Sequence, residues 1–161
     1  MGDIEIRPTR YGAPTAQVLV RAALAELAER YGGGGDDTPV DPAQFDPPEG
    51  SFLLAWRDGE PVGCGGWRIM AHYTDDGVGE DVAEVKRMYT VPEARGQGVA
   101  RAMLKALEES ARQAGMRRLI LETGDRQPEA IALYESSGYS LIKNYGYYRD
   151  HEGVASYGRD L

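Results

Sequence analysis

Residues 92–100 read Pro92-Glu93-Ala94-Arg95-Gly96-Gln97-Gly98-Val99-Ala100, between a strand-like run over 83–91 and an amphipathic stretch that begins at Val99. A strand that ends in a glycine turn and opens a helix aims several free backbone N–H groups at one spot, and the helix dipole adds positive potential there. Gly96 and Gly98 carry no side chain, so the loop can curl tightly and an anion can approach the backbone. The junction reads as a cradle for a diphosphate. It is not a nucleotide P-loop, because no Gly-Lys-Ser/Thr ending is present. A dinucleotide fingerprint needs three glycines; only Gly96 and Gly98 fit that spacing, with Ala100 following.

Arg95, Gly98 and Ala100 instead spell Arg-x-x-Gly-x-Ala, which resembles the acetyl-CoA signature of the GNAT superfamily of N-acetyltransferases. A second segment, residues 127–139, reads Gln-Pro-Glu-Ala-Ile-Ala-Leu-Tyr-Glu-Ser-Ser-Gly-Tyr. It resembles the second block of that family, Asn-x-x-Ala-x-x-Leu-Tyr-Glu-x-x-Gly-Phe/Tyr, with Gln127 standing where the family has Asn. Gln keeps the amide with a longer reach. The two blocks follow in the family's order with a strand-like run, Arg118–Thr123, between them. The matching core runs from Glu84 to Tyr147, and residues 1–83 fit by pattern alone.

The pattern along the chain agrees. Ile4 to Arg7 alternates as a first strand. Pro14 can open a helix carried by Leu19, Ala23, Leu27 and Tyr31 and ended by Gly32 to Gly35. Asp36 to Gly50 is a Pro- and Asp-rich loop with a helical turn around Pro42 to Phe45. Ser51–Arg57 and Pro61–His72 form a hairpin around Asp58-Gly59, and Asp75-Asp76-Gly77 makes a further turn before the strand ending at Val91. Val99, Met103, Leu107 and Ala111 or Ala114 line one side of the next helix. Lys105–Glu109 and Glu108–Arg112 can pair on the other, and Gly115 closes it. The strand 118–123, a helix 128–137 and strands over 139–148 and 154–161 complete the chain. The resemblance implies an α/β (α+β) GNAT fold in one domain over 1–161. It would be a mostly antiparallel mixed sheet of about seven strands, splayed between strands 4 and 5, with about four flanking helices.

Composition bounds the rest. A chain of 161 residues is expected to make one domain around one core. It has no apolar run of membrane-spanning length, and residues 1–7 lack the apolar stretch of a signal peptide. The single cysteine, Cys64, excludes an internal disulfide and fits a reducing cytoplasm. It lies in an apolar run with no neighbouring His, as a small buried thiol does. His72 and His151 are isolated, so no metal site is expected. A net charge of −8 argues against nucleic acid as a partner. Lys86, Arg87, Arg95 and Arg101 nevertheless gather around the glycine turn, while the acidic surplus elsewhere would draw in cationic amines.

The resemblance implies that acetyl-CoA is the co-substrate and that an amine attacks it directly, without an acyl-enzyme. Met88, Tyr89 and Val91, at the end of the strand before the turn, would pair with the pantetheine arm and polarise the thioester carbonyl. Arg95, Gly96, Gln97, Gly98, Val99, Ala100 and Arg101 would present N–H groups or charge to the pyrophosphate, and Gln127 a further contact. Tyr134 takes the family's general-acid position. Glu84, eleven residues before Arg95, takes the position of the general base used by some members, with Glu122 as the fallback. The acceptor pocket would come from the first helix, the 32–50 loop and Tyr145, Tyr147 and Tyr148. Arg126 is a candidate for a substrate carboxylate, with a CoA or surface role equally open. The expected protein is a cytoplasmic N-acetyltransferase acting on a small primary amine, with no membrane partner. A protein N-terminal or lysine acetyltransferase and a non-catalytic acyl-CoA sensor are the alternatives. Similar proteins also form homodimers, although no interface is readable in the chain.

Overall fold

Period-two alternation in the second strand sets the layering. In Phe52-Leu53-Leu54-Ala55 all four side chains are buried, so both faces of this strand must be covered. Leu53 and Ala55 join a core with the helix that follows the glycine turn, while Phe52 and Leu54 join a second core with the first helix. The computed structural model describes residues 2–70 and 81–161. In chain order it contains β1 (Glu5–Thr9), α1 (Pro14–Tyr31), β2 (Gly50–Arg57), β3 (Glu60–Ile69), β4 (Val82–Thr90), α2 (Val99–Gln113), β5 (Arg118–Gly124), α3 (Pro128–Ser136), β6 (Ser140–Ile142) and β7 (Val154–Asp160). Short 3-10 turns cover Pro42–Phe45 and Pro92–Ala94. His72 and the expected turn at Asp75-Asp76-Gly77 lie outside the described residues.

The sheet runs β1-β2-β3-β4-β5-β7-β6. Every neighbouring pair is antiparallel except β4 with β5. That parallel pair has only the rungs Val82↔Arg118, Ala83↔Leu119 and Glu84↔Ile120. Beyond Glu84 the two strands continue, to Thr90 and Gly124, without pairing each other. The sheet is therefore splayed between its fourth and fifth strands, as expected. The hairpin forms at Asp58-Gly59, where φ values of 51° and 79° give the left-handed pair that a two-residue turn requires.

Three details differ from the sequence reading. Among the described residues there are three α-helices, with 3-10 turns in place of a fourth. The expected strand over 139–148 is confined to Ser140–Ile142. Past it, Tyr145 turns into the core, Asn144 Nδ2 donates to the Val154 carbonyl at 3.1 Å, and Gly146 takes a positive φ, so the chain leaves the ladder. Glu108 does not pair with Arg112; it is buried and accepts from the Tyr139 hydroxyl (2.8 Å) and from Arg159 (3.1 Å). Arg112 pairs with Glu109 instead, because Glu108 sits on the flank that the C-terminal strands cover.

α2 presents Val99, Met103, Leu107 and Ala111 to the sheet, the stripe its sequence period predicts. Leu107 is 0 % exposed. We predict that Leu107→Ala lowers the unfolding free energy by about 2–5 kcal/mol, measured by urea denaturation. A loss below about 0.5 kcal/mol would show that α2 does not anchor this core.

Candidate active site

The turn forms as its glycines dictate. Gly96 and Gly98 have φ of 72° and 85°, and a Cβ at either would meet nothing within 4 Å, so both face open space. Gly98 caps α2, and the helical ladder begins with the Ala102 N–H bonded to the Gly98 carbonyl at 3.0 Å. The N–H groups of Val99, Ala100 and Arg101 precede that ladder and point from the helix end toward the turn. This arrangement fits a diphosphate.

The side chains around the turn have other work. Arg95 reaches across to α1, where Nη2 lies 2.5 Å from Glu26, while its Nε donates to the Thr90 carbonyl at 3.0 Å. Gln97 accepts from Arg57 and donates to the Glu93 carbonyl. Arg101 donates to Ser136 and Ser137 at the end of α3. These side chains brace the loop, which leaves the backbone as the part of the turn that fits an anion.

Just before the turn, β4 is irregular. Arg87 has φ of 59°, and the β3–β4 register shifts between Cys64 and Gly66. The bulge twists the end of β4 away from β5. Two cavities occupy the resulting wedge. One, of about 130 Å³, is lined by Val85, Lys86, Arg87, Met88, Tyr89, Gln127 and Tyr134 among others. The other, of about 430 Å³, lies beneath the 32–37 loop and includes Tyr31, Asp37, Tyr148 and His151. Leu27, Asp36, Lys86, Glu122, Thr123 and Gln127 line both. Of the expected cofactor contacts, Met88, Tyr89 and Gln127 thus come together at the splay with Tyr134, whereas the 95–101 turn lies along the chain from it. Val91 leads into the turn, its N–H bonded to the Val62 carbonyl at 3.0 Å.

Tyr134 is buried, and burial pushes its phenol up to about 12. Its hydroxyl has no hydrogen-bond partner among the described residues. Its surroundings keep it neutral.

The two carboxylates considered as bases lie in different settings. Glu84 is 2 % exposed and lines neither cavity. Its Oε1 accepts from Arg68 (3.0 and 3.1 Å) and its Oε2 from the Tyr145 hydroxyl (2.8 Å). Both oxygens are bound, so the structure gives Glu84 a structural post. Tyr145, expected in the acceptor pocket, is drawn into the same buried node. Glu122 faces both cavities, and its Oε2 is buried with no partner. Burial first, and then the charge of Glu84, raise its carboxyl to about 7, against the pull of Lys86. The sequence offered no signal for this difference, since both are strand glutamates.

Arg126 does not face the cavities. Its guanidinium donates to the Arg30 carbonyl at 2.6 Å and stacks over Tyr31, fixing the end of α1. The cations that do line the cavities are Lys86, on both, and Arg87, on the narrower one, each paired with Asp36 of the loop. Cys64 is buried as expected, its thiol donating to the Arg87 carbonyl at 3.2 Å and pushed up to about 12 by burial.

A splayed sheet with a glycine cradle at the strand end defines a CoA-type acyltransferase fold. The model of the acetyltransferase (GNAT) family matches residues 19–139, and the chain belongs to that family. The chain is 43% identical over 101 residues to an IAA acetyltransferase from Azospirillum brasilense, covering 63% of this chain and 61% of that one. It is also 37% identical over 131 residues to the uncharacterized N-acetyltransferase YjgM of Escherichia coli, covering 76% and 75%. Among solved structures, a Klebsiella pneumoniae protein described as a candidate acyl-CoA N-acyltransferase superposes with a TM-score of 0.79. Its identity is 29%, covering 98% of this chain and 97% of that one. No helix among the described residues is long and apolar enough to cross a membrane, and those residues hold no cluster fit for a metal ion.

Replacing Glu84 by Gln leaves the Arg68 charge buried without its partner. We predict a loss of about 3 kcal/mol in urea unfolding, with the pH dependence of the remaining activity kept in form but moved to lower pH, because the charge that helps raise Glu122 is gone. A variant of wild-type stability whose activity no longer changed with pH near neutrality would return Glu84 to the chemistry.

Proposed function

We propose that the chain is a single-domain, cytoplasmic N-acetyltransferase that moves the acetyl group of acetyl-CoA to a primary amine of a small molecule by direct attack in a ternary complex. The observation that carries this reading is the wall shared by the two cavities, where Glu122 stands with Tyr134 on the strand-end side. A space of about 430 Å³ has the size of small-molecule sites. The backbone around Gly96 and Gly98 fits the pyrophosphate, and Met88 and Tyr89, on the strand that runs into that turn, line the narrower cavity.

Acetyl-CoA, when bound, supplies an acetyl group activated as a thioester. The chain's own groups then have separable tasks. Glu122, ionised in part at neutral pH, accepts a proton from the attacking amine. Tyr134, neutral and without a competing partner, donates its proton to the departing thiolate sulfur, which leaves as the free thiol. Lys86 and Thr123 of the shared wall are buried, with Tyr134 beside them, and this limits water at the point of transfer.

The sign of the pH dependence follows from Glu122. Its conjugate base grows as pH rises through about 7, so kcat/KM rises across that point and then levels. The groups that set this value are Glu84 and Lys86 on β4, Asp36 on the loop and Arg68 on β3. Folding responds oppositely: a raised carboxyl stabilises the fold most below its ordinary range, and that stability is lost as pH rises through about 7.

With any acceptor that the protein turns over, Glu122→Gln should lower kcat by about 10²-fold or more and flatten the rising limb near neutrality. A retained limb would remove Glu122 from the proton path. Tyr134→Phe deletes a hydroxyl that has no protein partner, so stability should change little while kcat falls by about 10²-fold with KM for acetyl-CoA nearly constant. Equal losses in stability and activity would make Tyr134 a packing residue.

A further inference from the structure

The shared wall carries a charge imbalance. Lys86 and Arg87 have side chains only 6% exposed, and both lean on Oδ2 of Asp36. Lys86 Nζ lies 2.8 Å from that oxygen, and the second oxygen of Asp36 is taken by the Thr38 N–H at 3.0 Å. Two buried cations therefore share one carboxylate. Arg87 also bonds the Tyr11 hydroxyl, and its Nε is buried with no partner beside the narrower cavity. Lys86 has three donors and spends one on Asp36. Glu122, the other carboxylate on the wall, forms no ion pair with Lys86. Its raised carboxyl leaves it only partly charged at neutral pH.

Uncompensated positive charge in a buried wall is costly and calls for an anion. A bare alkylamine meets it with the wrong sign. An amine that brings its own carboxylate meets it with the right one, while its nitrogen faces Glu122. The outer mouth, with Asp37 and Glu152 beside Tyr31, Tyr148 and His151, leaves room for a side chain.

We propose that the acceptor is an amine carrying a nearby carboxylate, an α- or β-amino acid, and that Lys86, backed by Arg87, reads that carboxylate. This rests on the N-acetyltransferase reading and narrows its substrate class. It moves the carboxylate contact from Arg126, whose guanidinium is held by the Arg30 carbonyl, to the bulged end of β4.

The test compares matched ligands: leucine with leucinamide and isoamylamine, phenylalanine with phenylalaninamide and phenethylamine, β-alanine with ethylamine. Binding is followed by the rise in unfolding temperature, with and without saturating CoA. Release of CoA from acetyl-CoA is followed in parallel. The expected result is that at least one acid binds more tightly than its amide and amine by roughly tenfold to a hundredfold. That preference should disappear in Lys86→Gln and persist in Lys86→Arg. No preference for any acid in the parent protein overturns the proposal, as does a preference that survives in Lys86→Gln. Should Lys86→Gln fail to fold, the comparison of acid with amide in the parent decides. Acids that bind through Lys86 but release no CoA would refute acetyl transfer and leave the carboxylate site standing. Amines acetylated without regard to a carboxylate would do the reverse.

Discussion

The last rung that joins β4 to β5 is Glu84 opposite Ile120, and the sheet opens from that point. Glu84 holds the rung in place by binding Arg68 of β3 and Tyr145 of the C-terminal segment, so three parts of the chain meet at one buried carboxylate. Such a node is tolerable only when every oxygen is satisfied, and here both are. On one side of it the strands are zipped. On the other, Arg87 in a left-handed conformation turns β4 outward and the cavities fill the gap. The node also acts on the chemistry: its negative charge is the second contribution, after burial, to the raised carboxyl of Glu122. A carboxylate with both oxygens bound thereby raises the carboxyl of one that faces the cavities.

The cradle depends on a different constraint, the thinness of β3. In Gly63-Cys64-Gly65-Gly66, a Cβ at Gly63 would come within 2.9 Å of Val99, and one at Gly65 within 3.1 Å of both Leu107 and Met88. The glycines let α2 lie close to the sheet, and that closeness fixes its first turn beside the end of β4. Anion-facing amides and the strand end that leads to the cavity are thus held by one packing contact. Side chains of the turn contribute by bracing it to α1 and α3, through Arg95 to Glu26 and Arg101 to Ser136.

What could be read from the sequence follows this division. The glycine turn, the helix after it and the Tyr134 segment are local patterns, where backbone freedom and period decide the outcome, and they form as read. The charged residues were far less legible. Glu84 and Glu122 are both strand glutamates, and the arrival of Arg68 from β3 and of Tyr145, sixty-one positions away, separates the bound carboxylate from the one with an unpartnered oxygen. Arg126 looked available beside the second block, yet the end of α1, ninety-six positions back, takes its guanidinium. Likewise the run over 139–148 has strand-like composition, but burial of Tyr145 outweighs continued pairing with β7. Each of these outcomes depends on contacts between distant segments, which no local pattern encodes.

The Asp36 contact joins the loop to the cavity wall. It fastens the glycine-rich loop after α1 to the bulge of β4, so the roof of the larger cavity and the charge of its inner wall come from the same interaction. Asp36 is held well below the usual carboxylate range by Lys86 and Arg87 despite its burial, so it stays ionised throughout the working range. The loop is therefore closed on a fixed charge, and Glu122 is the carboxyl of the shared wall whose ionisation changes near neutrality. An acceptor that used the donors of Lys86 left over by Asp36 would bind without unfastening the roof. One that displaced Asp36 would have to open it, and would give up two ion pairs to gain its own. Economy of contacts favours the first, in which the loop defines the pocket and the surplus charge beneath it selects what enters.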